Sequence, residues 1–109
     1  MKVTVDYLIK LMSKETYTYS TKSSIETTSN ILRKLYEKNT IQVNPTFQAA
    51  INNGVDIIWN LDNKYVKLNI PPSETGNLPY LYVREDNNKS MRSIDNINEN
   101  IAIIINELR

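Results

Sequence analysis

The chain has 109 residues, 40% hydrophobic and 23% charged, with 13 Lys plus Arg against 12 Asp plus Glu and a net charge of +1. It has no cysteine and no histidine. Disulfides, thiol catalysis, Cys/His zinc sites, His-ligated haem and every nucleophile activated by histidine are therefore excluded. The length fits one domain over residues 1–109, and the near-neutral charge gives no electrostatic footprint for nucleic acid. The longest apolar run, residues 101–105, is far short of a membrane span, and the N-terminus lacks a signal peptide's basic start and long apolar stretch. These features predict a cytoplasmic protein with no membrane contact.

In residues 3–12, Val5, Leu8, Ile9 and Met12 fall at helical spacing with Leu11 widening the face, although Val3, Val5 and Tyr7 also alternate. A helix is preferred over a strand. Residues 13–22 are polar and read as a connection anchored by Tyr17 and Tyr19. Ser23-Ser24-Ile25-Glu26 has the form of a capping box and opens a second helix to about Lys38. Its core face is Ile25, Thr28, Leu32, Leu35 and Tyr36, with Ile31 at the margin. Arg33, Lys34 and Lys38 sit late in it, where the helix dipole favours cations.

Residues 41–51 admit two readings. Asn44-Pro45 could open a short helix stopped by Gly54, or the segment could be a strand ending in an Asn52-Asn53-Gly54 turn. The strand is favoured slightly, because a hairpin follows. With Asp62-Asn63 as a two-residue turn, Leu61 opposes Lys64, Trp59 opposes Val66, Ile57 opposes Leu68 and Val55 opposes Ile70. A slip of one residue would scramble both faces. The other face carries Asp56, Ile58, Asn60, Tyr65, Lys67 and Asn69. Pro71-Pro72 ends the second strand, residues 73–79 form a loop, and residues 80–84 form a further strand with Leu81 and Val83 inward. Residues 85–90 read as a polar turn or loop. A C-terminal helix over residues 94–108, capped by Ser93, presents Ile94, Ile97, Ile101, Ile104, Ile105 and Leu108 as one stripe, with Ile103 off it.

The predicted class is α+β: an antiparallel sheet of three to four strands, one face covered by two to three helices including the C-terminal one. The layout resembles a family of small, uncharacterised bacterial proteins with a capped Ile-Ser-x-Glu-x-Ile helix, a Pro-Thr and a Gly-Val/Ile-x-Leu-Glu-Trp strand. The matching stretches are Lys22-Ser23-Ser24-Ile25-Glu26, Pro45-Thr46, Gly54-Val55-Asp56-Ile57-Ile58-Trp59, Val66-Lys67-Leu68-Asn69-Ile70 and Tyr80-Leu81-Tyr82-Val83. The chain departs from that pattern in three places. It offers only Tyr17 or Tyr19 for the family's Trp-Asp before the helix, Ile58 for the Glu before the strand Trp, and residues 47–53 for a short turn. The resemblance implies a fold and no activity.

Chemistry finds little purchase. Glu85-Asp86 beside Asn87-Asn88 reads as a solvated turn, Asp56 is a lone carboxylate on the open face, and no D-x-D-x-D-G loop occurs. Gly54 and Gly76 are the only glycines, so there is no phosphate-cradling loop, and neither Ser20-Thr21-Lys22 nor Lys89-Ser90 fits S-x-x-K. No catalytic residue, metal site or cofactor is expected. The candidate site is the outer sheet face, where Tyr65, Lys67, Tyr80, Tyr82 and Arg84 interleave aromatic and basic groups around Ile58. Seven Tyr against one Phe and one Trp strengthen an interface reading, since Tyr combines contact area with a polar handle. Ile103 with Ile58 suggests a further apolar patch for a partner or a homodimer. The expected function is a non-enzymatic protein-binding module using this face or an edge strand. By analogy alone it suits an antitoxin, an immunity protein or a phage-encoded inhibitor of a bacterial defence system. The alternative is single-stranded nucleic-acid binding on the same face.

Overall fold

Alternation of apolar residues along the middle of the chain dictates the sheet. The computed structural model describes residues 4–37 and 41–109. Strands β1 (Thr46–Ala49), β2 (Val55–Asn60), β3 (Lys64–Ile70), β4 (Tyr80–Glu85) and β5 (Asn88–Ser93) form one antiparallel sheet in the order β1-β2-β3-β4-β5. Residues 46–49 are thus strand, as favoured from the sequence. The β2–β3 register is the expected one: Val55 faces Ile70, Ile57 faces Leu68 and Trp59 faces Val66. Leu61 and Lys64 close the hairpin with backbone hydrogen bonds of 2.8 and 3.5 Å. The six inward residues of the three apolar pairs, with Leu81 and Val83, are buried.

Three helices, α1 (Val5–Thr16), α2 (Lys22–Tyr36) and α3 (Ile101–Glu107), cover the inner face. Helix α1 packs beside β1 and α2, and α2 lies against β2, β3 and α3. Leu8 and Met12 from α1, Ile31, Leu32 and Leu35 from α2, and Ile104 from α3 meet the sheet in one core. Trp59 is fully buried at its centre, which stabilises the fold by about 1.5–3 kcal/mol. Its indole Nε1–H donates to the Tyr36 hydroxyl at 2.8 Å, and that hydroxyl donates to the Val43 carbonyl at 2.9 Å. Burial pushes the Tyr36 phenol up to about 12, opposed by the hydrogen bond from Trp59.

Several boundaries differ from expectation. Helix α1 continues to Thr16, whose hydroxyl donates to the Met12 carbonyl at 2.7 Å, so residues 13–16 are helix rather than connection. Tyr17 and Tyr19 are not buried anchors; they are 72% and 73% exposed. The α2 cap is Thr21, whose hydroxyl accepts from the Ser24 N–H at 3.3 Å, and not Ser23. Glu26 approaches Lys22 at 4.0 Å instead of closing a capping box. Ile31 belongs to the core face and Ile25 is half-buried. Val3 and Lys38, assigned to helices from the sequence, lie outside the described residues.

The largest departure is at the C-terminal end. Residues 88–93 form a fifth strand, against the three to four expected and overlapping the polar turn or loop predicted for residues 85–90; it is paired so that Glu85 faces Asn88 around a turn in which Asp86 has φ 55°. Asp tolerates that left-handed conformation better than most residues. Ser93 therefore ends a strand and caps no helix, and α3 starts at Ile101 rather than Ile94. The Ile94 N–H is taken by the Pro79 carbonyl at 2.9 Å, extending the β4–β5 ladder. The Asn96 side chain accepts from the N–H groups of Asn98 and Glu99 at 3.1 and 3.3 Å, which turns the chain locally before a helix can form. The isoleucine stripe still points inward: Ile94, Ile104 and Leu108 are buried, and Ile97, Ile101 and Ile105 are partly so. Lys64 and Glu107, 2.9 Å apart and partly shielded, tie α3 to the sheet.

Candidate functional site

Cross-strand partners in an antiparallel sheet share a face, so the register alone composes the outer surface. One row runs Thr46, Ile58, Lys67, Tyr82, Met91. A second runs Gln48, Asp56, Asn69, Tyr80, Ser93, and a third Asn60, Tyr65, Arg84, Lys89. All six residues predicted from the sequence, Ile58, Tyr65, Lys67, Tyr80, Tyr82 and Arg84, thus lie on one face, side by side on β2, β3 and β4. Arg84 is exposed and the other five are half-buried by one another.

The aromatic and basic groups are braced as a unit. Tyr65 and Tyr82 pack edge to face with ring centroids 6.0 Å apart. The Arg84 guanidinium lies 5.0 Å from the Tyr65 ring centroid. Lys67 Nζ lies 5.6 Å from the Tyr80 centroid and 6.0 Å from that of Tyr82. Burial acts to lower the Lys67 pKa, but the contact with the Tyr80 hydroxyl and the charge of Asp56 outweigh it and hold the ammonium above its ordinary value. Lys67 is therefore a fixed cation at neutral pH.

Asp56 and Asn69 sit on this outer face yet are only 5% and 3% exposed. The Asp56 carboxylate accepts from Asn69 Nδ2 at 2.8 Å and from Gln48 Nε2 at 3.1 Å. Asn52 Nδ2 donates to Asn69 Oδ1 at 3.1 Å, and Asn52 Oδ1 accepts from the Gly54 N–H at 3.0 Å. Every buried side-chain N and O among the described residues has a partner. Asp56 is thus a structural acceptor that stiffens one end of the face, and not the solvent-facing carboxylate read from the sequence.

The three cations of the face, Lys67, Arg84 and Lys89, have no ion-pair partner among the described residues. Arg84 and Lys89 are direct cross-strand neighbours. Like charges placed so are unfavourable unless an anion comes between them. The carboxylate of Asp56 is sequestered within the face, while Asp62 and Asp86 line a hollow with Tyr65 and Arg84 at its turn end, so the cations are concentrated among the tyrosines rather than spread over the whole surface.

One pairing expected from the sequence comes apart. Ile58 is on the outer face, whereas Ile103 packs against the core and lines a hollow of about 300 Å³ with Arg92, Ser93 and Ile94 on the helix side of the sheet. They form no common patch. Glu85 and Asp86 are exposed at the β4–β5 turn, and no group of three or more acidic residues that could hold a metal occurs among the described residues. Lys89, Met91 and Ser93 complete the face but escape sequence reasoning, because β5 has no apolar alternation. The only available signal is the Asp86-Asn87 pair as a hairpin turn. None of the described helices is long and apolar enough to cross a membrane. No family model, no curated protein and no solved structure matches this chain.

Proposed function

We propose that this chain is a non-enzymatic protein-binding module of the cytoplasm whose contact surface is the outer face of the sheet. The observation that carries the reading is the braced cluster of Tyr65, Tyr80 and Tyr82 with Lys67 and Arg84, on a face opposite the one the three helices cover. Rings held by neighbouring side chains lose little conformational freedom on binding, which is what an interface anchor requires. A surface of this kind neutralises a target by occupying it, the action of an antitoxin, an immunity protein or a phage-encoded inhibitor.

Single-stranded nucleic acid is the competing occupant of the same face. It is the weaker reading, because stacking needs open ring faces, and here Arg84 lies over Tyr65 while Lys67 lies over Tyr80 and Tyr82. The test is capture of a partner from the native host with Tyr82→Ala and Lys67→Glu. Both side chains lie outside the core, so the domain stays folded and capture is lost. Equal capture by both variants and the native chain refutes the face. Tight, steeply salt-dependent binding of an oligonucleotide would instead favour nucleic acid.

A further inference from the structure

Strand β5 is the open end of the sheet, and all six of its residues are exposed. Even Ser90 and Arg92, which share the parity of the inward Val83 and Leu81, lie in solvent. The opposite edge is different: β1 has only four residues, buries Phe47 and has α1 packed beside it. In an antiparallel ladder, hydrogen-bonded and non-bonded pairs alternate. Counting from the bond between the Ile94 N–H and the Pro79 carbonyl, Ser90 and Arg92 bond toward β4. The N–H and C=O groups of Lys89, Met91 and Ser93 therefore point to the open edge.

Strand β5 itself carries two cations and no carboxylate, with Glu85 and Asp86 at the turn before it and Asp95 just after it. Lys89 stands beside Arg84 on the outer face, Arg92 projects on the helix side, and none of the three has an ion-pair partner among the described residues. Edge cations discourage pairing with a second copy, which would bring its own Lys89 and Arg92 to the seam. They favour a strand of opposite charge. Met91, 66% exposed, supplies an adaptable apolar contact beside Tyr82. On the other side the hollow of about 300 Å³ has room for an aliphatic side chain against Ile94 and Ile103, with Arg92, Asp95 and Asn100 also lining it.

From this geometry we infer that β5 receives an extended acidic segment of a partner protein as a sixth strand. The inference rests on the protein-binding reading and specifies the partner's chemistry. Main-chain bonds to Lys89, Met91 and Ser93 supply the pairing. Acidic side chains meet Lys89 and Arg84 on one face and Arg92 on the other, while an aliphatic residue enters the hollow at Ile103.

The experiment is an amide-resolved NMR titration of the full chain with a blocked peptide alternating Glu and Val. The alternating Lys–Val peptide and an oligothymidylate serve as comparisons. The acidic peptide is expected to move the amides of Lys89, Met91 and Ser93, and to slow their hydrogen exchange, more than those of Ser90 and Arg92. Met91→Pro removes an outward donor on an edge strand, where proline is tolerated, and weakens binding at least tenfold. Lys89→Glu keeps the backbone donors and also weakens binding at least tenfold.

Absence of shifts at millimolar acidic peptide overturns the inference, as does unchanged binding by Met91→Pro. Stronger effects from the oligothymidylate on the same amides also overturn it, in favour of nucleic acid. If Tyr82→Ala and Lys67→Glu abolish capture of a host partner while Met91→Pro leaves it intact, strand addition falls and the face stands. If Tyr82→Ala and Lys67→Glu leave capture intact, the face itself falls.

Discussion

Removing one oxygen from the core tests the packing around Trp59. In Tyr36→Phe the ring remains, but the Trp59 indole N–H loses its acceptor and the Val43 carbonyl its donor. An unsatisfied buried donor costs about 1–3 kcal/mol, and Val43 is only partly buried, so water can serve its carbonyl. The variant should be less stable than the native chain by about 2 kcal/mol at pH 7. The same hydroxyl then fixes a pH dependence. Its pKa rises from the ordinary phenol value of 10.0 to about 12 in the fold. A raised folded-state value contributes stability that is complete below pH 10 and is lost as pH climbs toward 12, because the unfolded chain releases the proton first. At pH 11 the native chain should have lost about 1.4 kcal/mol through this group, one pKa unit's worth. Tyr36→Phe cannot lose it, and other titrating groups act alike in both chains. The difference should therefore shrink from about 2 to about 0.6 kcal/mol between pH 8 and pH 11. Urea unfolding followed by far-ultraviolet circular dichroism at pH 7, 8, 10 and 11 measures it. A difference that stays constant with pH, or no difference at pH 7, would refute the buried hydroxyl bridge.

Three further perturbations probe other joints. A Cβ at position 54 would run into the Ile70 carbonyl, so Gly54→Ala should cost about 1–3 kcal/mol by overpacking, or abolish folding; an unchanged melting temperature would contradict the close approach of Gly54 to the end of β3. Asp56→Ala strips acceptors from Asn69 and Gln48 and should cost about 1–3 kcal/mol in chemical denaturation, with a neutral result showing that the amide network is not stabilising. Lys64→Ala severs the ion pair to Glu107 at the end of a helix of seven residues, and should cost about 1 kcal/mol locally. Hydrogen exchange should quicken in α3 and stay unchanged in β2 and β3; uniform acceleration would mean that α3 has no independent opening.

The β2–β3 hairpin is legible from residues alone because its two faces differ. Displacing Trp59 from Val66 by one position would expose the whole apolar set, so the register has one acceptable solution. The six face residues follow from that alternation, since β4 carries the same pattern through Leu81 and Val83. Strand β5 is illegible for the opposite reason: Asn88–Ser93 buries nothing, and pairing with β4 rather than apolar burial places it. Helix α3 is overextended by the periodicity because Ile94 and Ile97 keep helical spacing while Asn96 captures the backbone N–H groups beyond it. Spacing reports where apolar residues point and is blind to such local competition. The burial of Asp56 depends on Gln48 from β1 and, through Asn69, on Asn52 from the preceding turn, contacts that no single strand's pattern contains.

The central claim is that the tyrosine-rich face, with Lys67 and Arg84 among its rings, is the contact surface. Amide hydrogen exchange, measured on the chain alone and on its complex recovered from the native host, tests it most directly. Exchange should slow in β3, β4 and β5 on complex formation, with α1 and α2 unchanged. Protection confined to the helices, with the sheet unaffected, would contradict it.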